Sequence, residues 1–358
     1  MFLVFGVFSL NSYVHYRVSK NYLFEMPSIT YLKALLKTAK KMAKMGVHGL
    51  EEYQASLQKA VKASQKIISK TKYLHTNIKV SDLDVVYDYL KVYFLLEIRC
   101  FYATLKEIEK QKHHLRNIYK IIGTLDSLQA VASYRESLPG YTEPRFVPAK
   151  NYLSISNLKH PLLKDPVPNT IELADQGMLI TGSNMSGKST FLRAVGINVL
   201  LAQTIYTCLA TSYTGCQFHI VSSINKADDL SQGKSFYYAE AERLLKIIRS
   251  TNLDKPVLCL IDELLSGTNY LERLSASTAI LHYLRRQGAL VIVATHDLDI
   301  AGRLKGAYQL YHFTDKADEK GMDFDYLLKE GIATTRNAIK LLKHIGYPDE
   351  IIAEASVT

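Results

Sequence analysis

The chain has 358 residues, of which 47% are hydrophobic, 10% aromatic and 22% charged. This length predicts two domains, or three, with hydrophobic cores, and the composition excludes a chain that is disordered over most of its length. Four cysteines are scattered through the sequence without the CxxC spacing of a zinc site or a redox dithiol. We interpret them as buried thiols in a reducing compartment.

The positive charge is concentrated in the first part of the chain. The formal net charge is +10, and residues 1–150 carry 23 Lys and Arg against 12 Asp and Glu, a net of +11. The remainder is nearly neutral, which favours two domains with different roles. A basic domain attracts nucleic acid, anionic lipid or an acidic partner, and it is also typical of solvated helices, so the charge alone leaves these alternatives open.

The N-terminal residues 1–27 form an apolar segment. Met1–Leu10 is apolar but shorter than the roughly 20 residues that cross a membrane, and no signal-peptide pattern follows it. This segment is either the stump of a truncated membrane span or a helix packed on the body. The first alternative is slightly favoured.

Long helices are predicted from about Ile29 onward, because Gly and Pro are nearly absent and apolar residues recur at helical spacing. Gly46 and Gly49 separate the first helix from the second, and a turn near residues 77–84 separates the second from the third. The third and fourth helices are predicted over Val85–Lys112 and Leu115–Ser133.

Lysines recur at helical spacing on one face of each of the first two helices. Such stripes are usually the solvated side of an amphipathic helix. The stripes are Lys33, Lys37, Lys40 and Lys44 on the first helix, and Lys59, Lys62, Lys66 and Lys70 on the second.

The second part of the chain alternates short apolar strands with helices, which indicates an α/β domain with a largely parallel sheet. A proline-rich stretch, Leu138–Pro148, precedes it. The predicted strands are Met178–Thr181, Val257–Ile261 and Leu290–Ala294. The predicted helices are Thr190–Leu201, Ala239–Ile248 and Asn269–Arg285. The predicted regions are 1–27, the helical domain 28–140, the α/β domain 141–330 and C-terminal helices in 331–358.

The strongest motif is Gly182–Ser189, which reads GSNMSGKS and matches the P-loop pattern G-x-x-x-x-G-K-[ST]. It follows a predicted strand and opens a predicted helix, as that motif requires. In such a loop, backbone N–H groups surround phosphate oxygens and the helix N-terminus favours an anion. Lys188 is expected to reach the β- and γ-phosphates, and Ser189 to hold Mg²⁺.

Two further strands end in polar residues that suit phosphate chemistry. Val257–Ile261 is followed by Asp262, a predicted metal ligand, and Glu263, which is expected to orient or deprotonate the attacking water. His296 follows Leu290–Ala294, at the edge where α/β sheets bind ligands, and is expected to sense the γ-phosphate. A loop at Asp228–Phe236, DDLSQGKSF, is either an anion-binding loop or an ordinary turn.

Together these segments resemble the MutS family of ATPases, with GSNMSGKST, DDLSQGKSF, DELLSGTN and ATH in the family's order. Lys159-His160-Pro161 resembles a further family segment. The resemblance implies an ABC-type P-loop ATPase domain with an N-terminal all-α core and lever domain. It also implies a dimer with composite ATP sites, in which Ser231 and Gly233 reach the nucleotide of the opposite subunit and the C-terminal helices form part of the contact.

The resemblance places the phosphates beside Asn184 and the adenine beside Tyr326, although a packed strand tyrosine is an equal alternative for the latter. Val167 departs from the aromatic residue of mismatch-repair members. The expected cofactors are ATP and Mg²⁺. The expected nucleotide-binding residues are Gly182, Ser183, Asn184, Met185, Ser186, Gly187, Lys188, Ser189, Thr190, Ser231, Gly233 and Tyr326, with Ser189 and Asp262 on the metal and Glu263 and His296 in catalysis.

Two functions follow from the resemblance. The first is a cytoplasmic ATPase of DNA repair or recombination that acts on mismatched or branched DNA. The second is an ATPase tethered to the inner face of the membrane through its N-terminus, since the mismatch-recognition and clamp domains of the family are not found in the sequence. A transporter subunit is a weaker third alternative, because DDLSQGKSF is not the LSGGQ type.

Overall fold

The computed structural model describes residues 2–71, 89–90, 92–183, 185–224, 236–251, 254–318, 321–333 and 345–356. The chain divides into two compact units, Met1–Ser133 and Tyr134–Thr358. The turn predicted near residues 77–84 lies outside the described residues.

The described residues of the first unit include the helices α1 (Phe2–Met42), α2 (Glu51–Lys70) and α3 (Leu96–Ser137), the last of which ends in the second unit. The apolar positions of these helices meet in one core, as their helical spacing predicts. Small residues at the contact between α1 and α2 allow the two backbones to approach closely. The buried residues of this core include Leu36, Ala39, Ala43, Leu57, Ala60, Ile67 and Ile118.

Two predicted helix boundaries are wrong. The first helix begins at Phe2 rather than near Ile29 and continues through Pro27. The helices predicted on either side of residues 113–114 are one helix, α3. No Gly or Pro occurs between residues 96 and 122, and Leu115 and Ile118 continue the apolar face that Ile108 begins.

The apolar segment 1–27 therefore forms the first part of α1. Within the described part of the chain, no helix is both long enough and apolar enough to cross a membrane.

The second unit contains a six-stranded sheet with the order β10-β9-β4-β8-β7-β6. The predicted strands are confirmed as β4 (Met178–Thr181), β7 (Val257–Asp262) and β8 (Leu290–Ala294). All neighbours in this sheet are parallel except the hairpin of β9 and β10. The other strands are β6 (His219–Ser223), β9 (Gln309–Asp318) and β10 (Gly321–Glu330).

A second sheet of four strands, not predicted from the sequence, has the order β1-β5-β2-β3. Its strands are short. Burial alternates along β3 and β5, but the alternation in β2 breaks where its register against β3 shifts, between Ile155 and Leu158. The strands are β1 (Arg145–Phe146), β2 (Tyr152–Leu158), β3 (Asn169–Ala174) and β5 (Ser212–Gly215).

Helices pack on the six-stranded sheet at the three predicted positions. They are α4 (Lys188–Ile205), α5 (Phe236–Ser250) and α6 (Tyr270–Arg286). Two shorter helices follow, α7 (Leu298–Arg303) and α8 (Asp349–Ser356). The rest of the predicted C-terminal helical stretch, residues 334–344, lies outside the described residues.

Two contacts hold α4 in place. A Cβ atom built on Gly196 would lie 2.6 Å from Cδ1 of Leu260, so a larger residue would push the helix away from β7. At the other end of α4, the Arg135 guanidinium donates hydrogen bonds to the carbonyl oxygens of Ile205 and Tyr206. These carbonyls lie at the helix C-terminus, where a cation is favoured.

Candidate functional site

A glycine-rich loop, residues 182–187, connects β4 to α4. Gly182 and Gly187 have φ of +147° and +100°, which side chains rarely adopt. A Cβ atom on Gly182 would lie 2.9 Å from the Phe313 carbonyl oxygen and from Ser186 Oγ. The path of this loop therefore requires glycine at its first position.

The loop is followed directly by Lys188, which is the first residue of α4, so the Lys188 side chain and the N-terminus of α4 belong to the same site. Gly187 occupies the N-cap and has no side chain to cap the first N–H groups of the helix. Lys188 is buried, and its Nζ donates to the carbonyl oxygens of Gly182, at 2.8 Å, and Ser183, at 2.7 Å. The site therefore combines a buried ammonium group with helix N–H groups, which together attract an anion.

Two serine hydroxyls of this loop are buried without a hydrogen-bond partner among the described residues. They are Ser183 Oγ and Ser186 Oγ. A buried hydroxyl without a partner costs free energy. Both hydroxyls can donate a hydrogen bond to a ligand in the loop.

Two carboxylates lie at the end of β7, which is separated from β4 by β8 in the sheet order. Asp262 is in register with Ala294 of β8, which is in register with Ile180 of β4. Glu263 has a φ of +59°, and its N–H donates to the Ala294 carbonyl oxygen at 2.9 Å. Left-handed backbone is costly for a residue other than glycine, and such residues cluster at functional sites.

The Glu263 carboxylate is paired with His296. Nδ1 of His296 lies 2.7 Å from Oε1 of Glu263. His296 follows β8 and is half exposed, whereas Glu263 is mostly buried. An ionised carboxylate only accepts hydrogen bonds, so the ring donates from Nδ1.

The end of the glycine-rich loop, Lys188 and the two carboxylates line one cavity of about 750 Å³. It contains both positive and negative groups, as well as apolar walls from Leu158, Pro166 and Val167. The predicted site residues that line it are Met185, Gly187, Lys188, Ser189, Thr190, Asp262, Glu263 and Tyr326. Gly182, Ser183, Ser186 and His296 are not among the described residues that line it, although His296 contacts the lining residue Glu263.

Tyr326 lies at the mouth of this cavity on an irregular part of β10. The register of β10 against β9 shifts between Phe324 and Leu328, and Tyr326 has a φ of +52°. Its side chain is 45% exposed, and a Cβ atom on Gly187 would lie 3.1 Å from its Cδ1. The ring therefore lies beside the glycine-rich loop, and it also stacks on the Phe324 ring, with the two ring centroids 5.8 Å apart.

Asn169 was not recognised in the sequence, yet it holds this part of β10. Its Nδ2 donates to the Tyr326 carbonyl oxygen at 3.1 Å, and its Oδ1 accepts from the Leu328 N–H at 2.7 Å. An asparagine at a strand start carries no distinctive sequence signal, so only the fold reveals this role.

His160 and Arg193 also line the cavity. Burial and the nearby Arg193 charge lower the pKa of His160, which favours its neutral form. Its Nδ1 accepts a hydrogen bond from the Leu162 N–H at 3.2 Å. Three predicted residues, Asn184, Ser231 and Gly233, lie outside the described residues.

The oxygen donors in the cavity suit a hard cation. The Ser189 hydroxyl and the Asp262 carboxylate both line it, and hydroxyl and carboxylate oxygens are the ligands that Mg²⁺ prefers. Magnesium needs only one or two such groups when phosphate oxygens and water supply the rest. The residues present therefore fit this ion.

The fold and the site define an α/β protein whose glycine-rich loop, between a strand and a helix, faces carboxylates at a neighbouring strand end. The family model for MutS domain V matches residues 178–358, half of the chain. The chain therefore belongs to the MutS family.

Similar proteins include three DNA mismatch repair proteins MutS. Those of Thermus thermophilus, Aquifex pyrophilus and Thermotoga maritima are 30%, 30% and 31% identical over 72%, 73% and 73% of this chain. The matched stretches make up 32%, 31% and 33% of the relatives. The chain thus spans about a third of the length of the curated relatives it matches.

Proposed function

We propose that this chain binds ATP with Mg²⁺ in the cavity at the glycine-rich loop and hydrolyses it to ADP and phosphate. The single observation that carries this proposal is that Lys188, Ser189, Asp262 and Glu263 line one cavity. A cation, a hydroxyl and two carboxylates are the groups that P-loop phosphoryl transfer uses. Membership of the MutS family supports the same conclusion.

Each residue has a separate role in this proposal. The glycine-rich loop and the Lys188 ammonium bind the phosphates, and the Lys188 hydrogen bonds to the loop carbonyls are replaced by bonds to phosphate oxygens. Ser189 and Asp262 hold Mg²⁺, which neutralises developing charge on the phosphates. Tyr326 presents its exposed face to the adenine, because aromatic rings stack on bases.

Glu263 is the proposed general base. It accepts the proton of the attacking water while the bond between the γ-phosphorus and the ADP oxygen breaks. His296 positions this carboxylate through the 2.7 Å contact. The other ring nitrogen of His296, Nε2, is left to form a hydrogen bond with water.

We further propose that this activity belongs to a homodimer that acts on DNA. The fold is an ABC-type P-loop ATPase domain that works as a homodimer with composite ATP sites, to which Ser231 and Gly233 of the opposite subunit contribute. ATP-driven closure moves the helices of residues 28–140, which act as levers. The proposed role is in DNA repair or recombination, with mismatched or branched DNA as the partner. The relatives' names support the part of this proposal that concerns DNA mismatch repair.

The binding step is tested with a fluorescent ATP analogue and the variant Lys188→Ala. We expect this variant to lose measurable binding, because the buried ammonium is removed from the phosphates. Lys305→Ala removes an exposed lysine outside the cavity and serves as the matched control. Equal affinity in the wild type and Lys188→Ala would contradict the proposed phosphate site.

A further inference from the structure

The first unit contains a second cavity, a groove of about 640 Å³ between α1 and α2. We call it the lysine groove. The residues that define it are Lys33, Lys40, Lys44, Lys62, Gln58 and Gln65. Its apolar floor includes Ala43, Val61 and Ile68, along which lysine stems pack while their ammonium groups face solvent.

The groove brings three lysines of the first stripe, Lys33, Lys40 and Lys44, together with one lysine of the second stripe, Lys62. Gln58 Nε2 donates to the Ala43 carbonyl oxygen at 2.9 Å and ties α2 to the end of α1. Lys33 and Ser69 line the same groove, so the two helices run antiparallel along it. Lys33 and Lys44 are eleven residues apart, which corresponds to about 17 Å of helix.

The charge of the lysine groove is not neutralised by the described protein. No acidic residue lines it, and none of its four lysines has an ion pair among the residues that the structure describes. Lys70, at the end of α2, differs in this respect, because its Nζ lies 2.9 Å from Glu107 Oε2. An elongated groove of unpaired cations selects an elongated polyanion.

We propose that the lysine groove binds the phosphodiester backbone of a single nucleic-acid strand. Cations on both walls can contact one strand from two sides, whereas a convex duplex would touch only the rim and leave the half-buried Lys33 unused. A flat anionic lipid surface also attracts lysines, but it would reach only the rim of a concave groove, as a duplex would. Glutamine amides add donors for phosphate or base oxygens.

This inference deepens the proposed role in DNA transactions, and it rests on that role for its biological meaning. It does not depend on ATP chemistry, since every residue of the lysine groove lies in the first unit. We expect sequence-independent binding that weakens with salt. Four phosphate contacts predict a slope of log affinity against log salt of about −3 for a single strand.

The test compares two double variants with the same change in net charge. Lys40→Gln with Lys62→Gln removes one lysine from each wall. Lys41→Gln with Lys59→Gln removes exposed lysines of the same helices outside the lysine groove. We measure binding to three probes in the absence of ATP and ADP: a fluorescent 30-nucleotide oligothymidine, a duplex of equal length, and phosphatidylserine vesicles. Thermal melting confirms that each variant is folded.

We expect Lys40→Gln with Lys62→Gln to bind the single strand about tenfold or more weakly. The slope of its log affinity against log salt should be less negative than that of the wild type by about 1.4. The control variant should stay within about twofold of wild type. Equal losses in the two variants, or preference for the duplex or the vesicles, would overturn the proposal. Lys188→Ala should retain strand binding, so a failure of the ATP proposal is distinguishable from a failure of this one.

Discussion

The Glu263 carboxylate is held to His296 across two strand ends, with Oε1 lying 2.7 Å from Nδ1. The Glu263 backbone is also fixed, because its N–H donates to the carbonyl oxygen of Ala294 in β8. The positions of the Glu263 main chain and side chain are therefore both fixed by hydrogen bonds to β8 and to a residue that follows it. A carboxylate held in this way can meet a water molecule in a fixed direction.

We predict that His296→Ala lowers kcat by roughly 10- to 100-fold, because a hydrogen bond to a charged group is worth about 1.5–3 kcal/mol. The dissociation constant for ATP should change little, since His296 does not line the cavity among the described residues. Steady-state phosphate release and equilibrium binding of an ATP analogue measure the two effects. A large loss of binding with unchanged turnover of bound nucleotide would show that His296 holds the nucleotide instead.

The glycine-rich loop should not tolerate a side chain at its first position. Gly182→Ala places a Cβ atom 2.9 Å from the Phe313 carbonyl oxygen at a φ of +147°. We expect a loss of about 1–3 kcal/mol in the free energy of unfolding, together with weaker ATP binding. Urea unfolding measures the first effect.

Gly302→Ala is the matched control for this loop variant. Gly302 lies in the short helix α7, and a Cβ atom there meets no heavy atom within 4 Å. The free energy of unfolding should be unchanged or slightly higher, because alanine restricts the unfolded chain. If both variants lost the same free energy of unfolding, the close approach of a Cβ atom at position 182 to the Phe313 carbonyl oxygen would not be the cause of the loss.

Tyr326 should contribute to nucleotide affinity through its ring rather than its hydroxyl. We predict that Tyr326→Ala weakens ATP binding by about tenfold, since stacking on a base is worth about 1–3 kcal/mol. Tyr326→Phe should bind normally. Asn169→Ala should weaken binding as well, because both of its hydrogen bonds to this part of β10 are lost. Normal affinity in Tyr326→Ala would exclude the ring from the site.

Buried thiols should make the fold less stable in alkali. Burial raises the pKa of Cys208 and of Cys259 from 9.0 to about 12. In the unfolded state these thiols ionise near pH 9, so between about pH 9 and pH 12 the unfolded chain binds fewer protons than the folded chain. The free energy of unfolding therefore falls as pH rises through this window.

Urea unfolding at pH 8 and pH 9.5 measures this change. Between the two pH values, the free energy of unfolding should fall less in the variant Cys208→Ala with Cys259→Ala than in the wild type. Its lower stability at pH 8 does not affect this comparison, because each protein is compared with itself. An identical pH dependence would mean that other groups cause the alkaline loss.

The sequence predicted the parts of the fold that repeat a strong local pattern. β4, β7 and β8 are continuous apolar runs, and each is followed by a residue of the candidate site. Because these strands are parallel neighbours, their polar ends meet at one edge of the sheet. Lys188, Asp262, Glu263 and His296 were therefore recognisable before the fold was known.

The remaining features depend on contacts between distant residues. The four-stranded sheet pairs β2 with both β3 and β5, and no local pattern marks those pairings. The role of Asn169 arises from hydrogen bonds to residues more than 150 positions away. In the first unit, the lysine stripes were evident, but only the packing of α1 against α2 placed Lys62 in the same groove as Lys40 and Lys44.

The central claim is that Glu263 activates water for ATP hydrolysis in this cavity. The most direct measurement is the release of phosphate from ATP with Mg²⁺ by the wild type and by Glu263→Gln, alongside ATP binding by both. We predict that the variant binds ATP with nearly wild-type affinity and releases phosphate about 10²- to 10⁴-fold more slowly. Hydrolysis by Glu263→Gln at the wild-type rate would contradict this account.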